Sequence, residues 1–261
     1  MPRTYNDLAP LADRLAPVLF QQRVDGPGMG ELPAVLAGHP RLLVIMNHGP
    51  ALGPAPALTA FLQSVVMAGG GERVPFGVTW RGFHSLPGVR DLASVFTQSA
   101  RELDVEDLVV RLTEGPFNDC CIMPEGELCN VGNGIDVQPF LSNRFIEVAA
   151  RAEVPILLVA HTGSENLAQT LPVPDALTPM TTLLPRRLRQ TLSQTGVVSM
   201  PWVLSGRVPQ LGMACQLMET PLSASELDGA DAHQRVEQAG LHVRAQLQRL
   251  VNRLSLQVDA G

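Results

Sequence analysis

Apolar positions recur along this chain in two rhythms. Over residues 6–22, Leu8, Leu11, Leu15, Val18 and Leu19 fall three or four apart. That spacing predicts an amphipathic helix that covers a core or rests on a membrane surface, with core cover favoured. Residues 41–47 carry the unbroken run Leu42-Leu43-Val44-Ile45-Met46 between His39-Pro40 and Gly49-Pro50, which predicts a short strand buried on both faces. A helix follows over 57–68, a strand over 74–78, and a turn at His84-Ser85-Leu86-Pro87-Gly88. The pattern then predicts a helix over 100–113, a strand over 120–123 that ends at Pro124-Glu125-Gly126, and a helix over 140–152. The clearest buried strand is 154–160, Val-Pro-Ile-Leu-Leu-Val-Ala. Residues 223–256 read as a terminal helical segment, with Val243, Leu247, Leu250, Val251 and Leu254 as its apolar stripe.

Strand and helix alternating in this way predict one α/β domain over 1–261, a largely parallel central sheet flanked by helices. In such sheets ligands bind beyond the carboxyl ends of the strands. His48 and Glu125 both stand directly after predicted strands. The sheet therefore gives two polar residues far apart in sequence a reason to meet in one cleft.

Composition narrows the function classes. The 261 residues are 45% hydrophobic with a net charge of −6, so no basic stripe is at hand to neutralise phosphates and no nucleic acid is expected as partner. All 19 basic residues are arginine. Cys120, Cys121, Cys129 and Cys215 lack metal-ligand or disulfide spacing, and a reducing cytoplasm is the expected compartment. Residues 1–10 do not read as a secretory signal. Residues 42–71 carry no formal charge, but Pro50, Pro54 and Pro56 interrupt them, and the clean apolar piece is too short to span a bilayer. Arg186-Arg187-Leu188-Arg189, with Leu183, Leu184 and Leu192 nearby, reads as a solvated helix face, or as a peripheral contact for acidic headgroups or an acidic carrier protein.

Four blocks occur in an order that resembles the phospholipid and glycerol acyltransferases typified by lysophosphatidate acyltransferases. They are Asn47-His48, the stretch from His84 to Leu92, Pro124-Glu125-Gly126, and Val154-Pro155-Ile156, with a weaker match from Met200-Pro201-Trp202 to Glu219-Thr220-Pro221. The likeness runs from about Phe20 to Leu254. It implies a role in lipid metabolism: an acyl group passing from a coenzyme A or acyl carrier protein thioester to a hydroxyl or amine acceptor, without any bound cofactor. His48 is then the general base, since imidazole titrates near working pH. Glu125 shares the catalytic site, and Asn47, Gly49, Pro124, Gly126, Glu127, Arg81, Arg90 and Arg144 are the substrate-binding candidates. Gly49 would allow close approach, and the turn entering the next helix would offer N–H groups to a thioester oxyanion.

Two departures from that family matter. The Asp that follows its Asn-His pair after four intervening residues is Gly53 here, and no acidic residue occurs from Leu32 to Gly71. A carboxylate partner for His48 must come from elsewhere, with Glu125, Glu127, Asp91 and Asp136 as candidates. The family's Thr-Arg after Pro-Glu-Gly, which helps to hold an acceptor phosphate, is Glu127-Leu128 here. That change favours a neutral or cationic acceptor. Three readings stay open: an acyltransferase, which leads; an acyl-thioester hydrolase that uses water activated by His48; and a catalytically weak descendant that binds acyl chains or a partner.

Overall fold

The computed structural model of the chain describes residues 2–79, 94–99, 101–174, 186–201 and 206–258. The block from His84 to Leu92 lies outside them, as do Arg81, Arg90, Asp91, Leu183, Leu184 and Trp202. Within the described residues the helices are α1 (Tyr5–Leu19), α2 (Leu32–Gly38), α3 (Pro54–Val65), α4 (Val105–Thr113), α5 (Arg144–Ala152), α6 (Arg186–Thr195) and α7 (Ala232–Val258). The strands are β1 (Phe20–Asp25), β2 (Leu42–Met46), β3 (Pro75–Gly77), β4 (Asp119–Ile122), β5 (Ile156–Thr162), β6 (Ala168–Pro172), β7 (Val197–Pro201) and β8 (Val208–Met218).

One six-stranded sheet runs in the order β1-β8-β5-β2-β4-β3. Its pairs are parallel except β5 with β8, so four strands point one way and β8 and β1 the other. A separate antiparallel pair joins β6 to β7. The expected mostly parallel α/β sheet is thus present, with an antiparallel edge that the apolar pattern did not reveal. The missed strands have physical reasons. Phe20–Asp25 has only two apolar residues, and Val208–Met218 is broken by Pro209, Gln210, Gly212 and Gln216.

Alternate residues of the sheet feed two cores. Leu43, Ile45, Cys120, Ile156, Leu158 and Ala160 pack with α4, α5 and α7. Leu42, Val44, Met46, Cys121, Leu157 and Val159 pack with α1, α2 and α3. Every residue of β2 and of β5 is buried, which is why both read as unbroken apolar runs rather than as alternation.

Several element boundaries differ from the sequence expectation. The first helix stops at Leu19 because Phe20 turns extended, and its core face is Tyr5, Ala12 and Ala16. Leu11, Leu15 and Val18 are exposed, so the apolar stripe predicted for this helix is not the face it buries. Small residues let α1 lie close to its neighbour α3. Helix α4 starts at Val105 rather than near 100, because Asp104 and Asp107 form a reciprocal cap at its amino end. Helix α5 starts at Arg144, and the segment over 223–256 divides into a short 3-10 turn, Ala224–Leu227, and the long α7. No helix among the described residues is long and apolar enough to cross a membrane.

At the edge opposite the carboxyl ends, Arg73 and Asp119 form a bidentate buried ion pair, with Nε donating at 2.9 Å. Arg73 Nη1 also donates to the carbonyls of Leu36 at 3.1 Å and His39 at 2.9 Å. Burial pushes the Asp119 carboxyl above its usual range, and Arg73 opposes that shift. Removing the cation alone leaves the carboxylate stranded. Arg73→Met is expected to lower unfolding free energy by about 3–5 kcal/mol in urea titrations, with Asp119→Asn added to it recovering part of the loss.

Candidate active site

Strands β4, β2 and β5 are immediate neighbours and parallel, so their carboxyl ends emerge side by side roughly 5 Å apart. Residues 47–48 leave the centre, 123–126 leave one side and 161–164 the other. Glu125 and His161 are brought to the two flanks of His48 by strand order alone.

The main-chain N–H of His48 donates to Glu125 Oε1 at 2.6 Å, and that of Gln138 to Oε2 at 2.7 Å. Both carboxylate oxygens of this 1% exposed residue are therefore engaged by backbone. Burial raises the Glu125 carboxyl to about 7, against the two N–H donors and the more distant Arg244. Residues 137–138 are in turn fixed by α7. Arg244 donates to the carbonyls of Val137 and Gln138, and Gln248 Oε1 accepts from the Val137 N–H at 2.7 Å.

On the other flank the Asn47 amide spans the backbone of His161. Its Nδ2 donates to the His161 carbonyl at 3.0 Å, and its Oδ1 accepts from the His161 N–H at 2.8 Å. His161 Nε2 lies 2.8 Å from the Asn47 carbonyl and Ser164 Oγ 3.2 Å from His161 Nδ1. Burial pushes the His161 imidazole down to about 4, so the ring is neutral at physiological pH.

The His48 ring is held differently from the expectation. Its Nδ1 is enclosed without a hydrogen-bond partner, while Nε2 is not enclosed in this way. Burial lowers its pKa, and main-chain groups of Gly49, Pro50 and His48 itself oppose that without reaching hydrogen-bond geometry at Nδ1. Of the four proposed carboxylate partners, Glu125 binds the backbone rather than the ring. Glu127 and Asp136 are exposed, Asp136 accepting from Asn133 Nδ2 at 2.8 Å, and Asp91 lies outside the described residues.

The remaining predicted residues divide. Gly49 has φ +62°, and a Cβ there would stand 2.6 Å from Ser164 Oγ, so the turn rests directly on that hydroxyl. Pro124 accepts from the Leu141 N–H at 2.7 Å, and Gly126, at φ +52°, has Leu141 packed against it. Leu128 is 1% exposed and points into the core, so the position where the resembling family carries Arg has no route to an acceptor here. Arg144 is exposed at the start of α5 and makes no recorded bond to this cluster.

The first residues of helix α3 have few N–H groups to spare, so any oxyanion donors lie in the turn before it. Pro54 and Pro56 have no N–H, Gly53 N–H donates to Pro50 at 2.7 Å and Ala55 N–H to Leu52 at 3.3 Å. The donors this turn has to spare are the N–H groups of Gly49, Ala51 and Leu52. Nor is a thiolate on hand, because burial and Glu125 push Cys129 up to about 12. Among the described residues no group of His, Cys, Asp and Glu is arranged to hold a metal ion.

The residues that sequence reasoning missed are Ser164, Gln138 and Arg244. Ser164 follows the strongest strand by two residues, a signal that could have found it. Gln138 acts through its N–H, which any residue but proline has, and Arg244 looks like one more exposed helix arginine. Compared with protein-family models, curated proteins and solved structures, the chain finds no significant match in any of the three.

Gly53 sits where the motif carboxylate would be, and a Cβ there would stand 2.5 Å from the His48 carbonyl and 2.9 Å from that of Pro50. Gly53→Asp is accordingly expected not to restore a His–Asp pair but to destabilise the fold by about 1–3 kcal/mol, measured by chemical unfolding. The Glu125 shift has its own signature. A carboxyl whose pKa is about 7 when folded, above its ordinary 4.5, gives stability that is full below pH 4.5 and is lost as pH rises through 7. The loss is on the order of 3 kcal/mol. Glu125→Gln removes this titration, so the stability difference between pH 5 and pH 8 in urea should shrink by that amount.

Proposed function

We propose that this protein is an acyltransferase that moves an acyl group from a coenzyme A or carrier-protein thioester to a hydroxyl or amine acceptor, with His48 as general base. One observation carries the reading: the Asn47-His48 pair and Glu125 meet at adjacent strand ends, joined by the 2.6 Å bond from the His48 N–H to the Glu125 carboxylate. The resemblance noted in the sequence makes these two blocks parts of one site, and a parallel sheet is the scaffold that would unite them. Nε2 is the ring nitrogen that would take the acceptor proton. The free N–H groups of Gly49, Ala51 and Leu52 would face negative charge developing on the thioester oxygen.

The acceptor proposed is neutral or amine-bearing rather than a phosphate monoester. Leu128 is interior and Glu127 exposed, so the motif arginine has no equivalent at these positions. A lost charge-assisted contact is worth roughly 1.5–3 kcal/mol, or one to two powers of ten in binding. A second reading, a slow or inactive descendant that binds acyl chains, is favoured by one observation, the unpartnered Nδ1 of His48.

The test is a panel of phosphate-headed, neutral and amine acceptors with one long-chain acyl thioester, run beside His48→Ala. Transfer to a neutral or amine acceptor, lowered about 10²–10⁴-fold in the variant, supports the reading. Thioester loss equal with and without acceptor would make it a hydrolase. Binding without turnover would make it the inactive descendant, and best use of a phosphate-headed acceptor would overturn the acceptor assignment.

A further inference from the structure

We infer that His161, steadied by Ser164, is the positioning residue for His48, and that it takes over the orienting role of the absent carboxylate by fixing main chain instead of the ring. The inference rests on the acyl-transfer reading for its kinetics and on geometry for the rest.

A carbonyl oxygen can only accept, so the 2.8 Å contact of His161 Nε2 with the Asn47 carbonyl requires the proton on Nε2. Nδ1 is then a bare acceptor, and the Ser164 hydroxyl at 3.2 Å donates to it. The ring's depressed pKa keeps it neutral, and these two contacts then select the tautomer. Together with the two bonds from the Asn47 amide to the His161 backbone, residues 47 and 161 are joined three times over. Glu125 holds the next N–H, that of His48, from the opposite flank. The peptide that carries the His48 Cα is thus gripped at its carbonyl by His161 and at its N–H by Glu125.

The turn that follows is seated on the same pair. A Cβ at Gly49 would lie 3.0 Å from His161 Cε1, and one at Gly53 would lie 3.1 Å from Ser164 Oγ. Gly49 must be glycine for the loop to lie down on the Ser164–His161 pair, while Gly53 is held to glycine chiefly by the His48 and Pro50 carbonyls. Both side chains are nearly inaccessible, His161 at 2% and Ser164 at 1%, so neither meets substrate. Their effect must pass through His48.

The experiment compares His161→Leu, His161→Gln and Ser164→Ala in the full chain, by urea unfolding, by kcat and KM for acyl transfer, and by NMR of the His48 ring nitrogens. His161→Leu is expected to lower kcat about 10²-fold through a small displacement of the base, with KM changed by no more than about twofold. His161→Gln should recover most of that, since its amide presents an N–H to the Asn47 carbonyl. Ser164→Ala should cost about fivefold, the worth of one hydrogen bond. A folded His161→Leu protein with kcat within about twofold of the unsubstituted chain overturns the inference, and so does a His161→Gln variant no better than the leucine one. If His161→Leu does not fold, Ser164→Ala decides, with unchanged kcat and unchanged His48 ring signals counting against. If the unsubstituted protein turns over no thioester, the acyl-transfer reading falls and the ring signals decide alone. A shift of the His48 resonances in the His161 and Ser164 variants supports the positioning role, and their constancy ends it.

Discussion

The main-chain N–H of His48 is the donor on which the carboxyl edge depends. It follows a strand whose residues are all buried, and an unmet donor there would cost about 1–3 kcal/mol. Glu125 meets it, and the need to meet it explains much of what surrounds the site. One carboxylate oxygen is committed to His48 and the other to the Gln138 N–H, so residues 124–138 must fold back across the ends of β2 and β4. Helix α7 then secures that return with Arg244 and Gln248. Burial works against the ion that makes these bonds, and the result is a carboxyl poised near neutrality rather than one locked in either state.

The sandwich makes this arrangement rigid by a division between its two edges. Two cores clamp β2 and β5 on both faces, and at the amino-terminal edge Arg73 ties Asp119 to the carbonyls that end α2. That ion pair is deep enough that its net worth is small while the cost of breaking it is large, so it fixes geometry more than it adds stability. Among the described residues the carboxyl edge carries no such ion pair. Its side chains bind mainly backbone N–H and carbonyl groups, and its turn glycines are dictated by close approach, Gly49 to Ser164 and Gly53 to the His48 and Pro50 carbonyls. An edge held this way keeps its hydrogen-bond pattern while leaving the His48 Nε2 free to act.

What the sequence disclosed follows from how each element is buried. Strands covered on both faces, such as β2 and β5, announce themselves as apolar runs, and their ends could be marked to within two residues. Because the site is made of such ends, Asn47, His48 and Glu125 were legible. Strand β8 was not, because its partners tolerate Pro209, Gln210 and Gly212 among apolar residues. Helix α1 misled, since Leu11, Leu15 and Val18 have helical spacing yet the buried face is that of Tyr5, Ala12 and Ala16. Glu125 was expected to address a ring and instead addresses a backbone N–H. No residue pattern distinguishes those two uses of a carboxylate, because a ring and the backbone N–H of the same residue lie at the same place in the sequence. At the entry to α3 the prolines at 54 and 56 remove two N–H groups, so the donors left to spare are those of the preceding turn, at Gly49, Ala51 and Leu52.

The orphaned Nδ1 of His48 sets the terms on which the two functional readings compete. For Nε2 to accept a proton, the neutral ring must carry its own proton on Nδ1, where an enclosed N–H finds no acceptor. The other tautomer places the proton on Nε2, leaves only a lone pair unmet and makes the ring a donor. His161 cannot relieve this, because one of its nitrogens is committed to the Asn47 carbonyl and the other to Ser164. The unmet N–H biases the ring against the base form by about 1–3 kcal/mol, which is roughly ten- to a hundredfold in rate. Loss of the orienting carboxylate in a triad enzyme costs nearer 10⁴ although the ring keeps its place, because the ring then holds the wrong tautomer. Here too the position is secured, since the peptide carrying His48 is gripped at both ends, and the tautomer is what the missing carboxylate leaves unset. The two readings therefore differ in how far the ring is held in the wrong tautomer: a bias of about ten- to a hundredfold leaves a slowed general base, and one near 10⁴ leaves the inactive descendant.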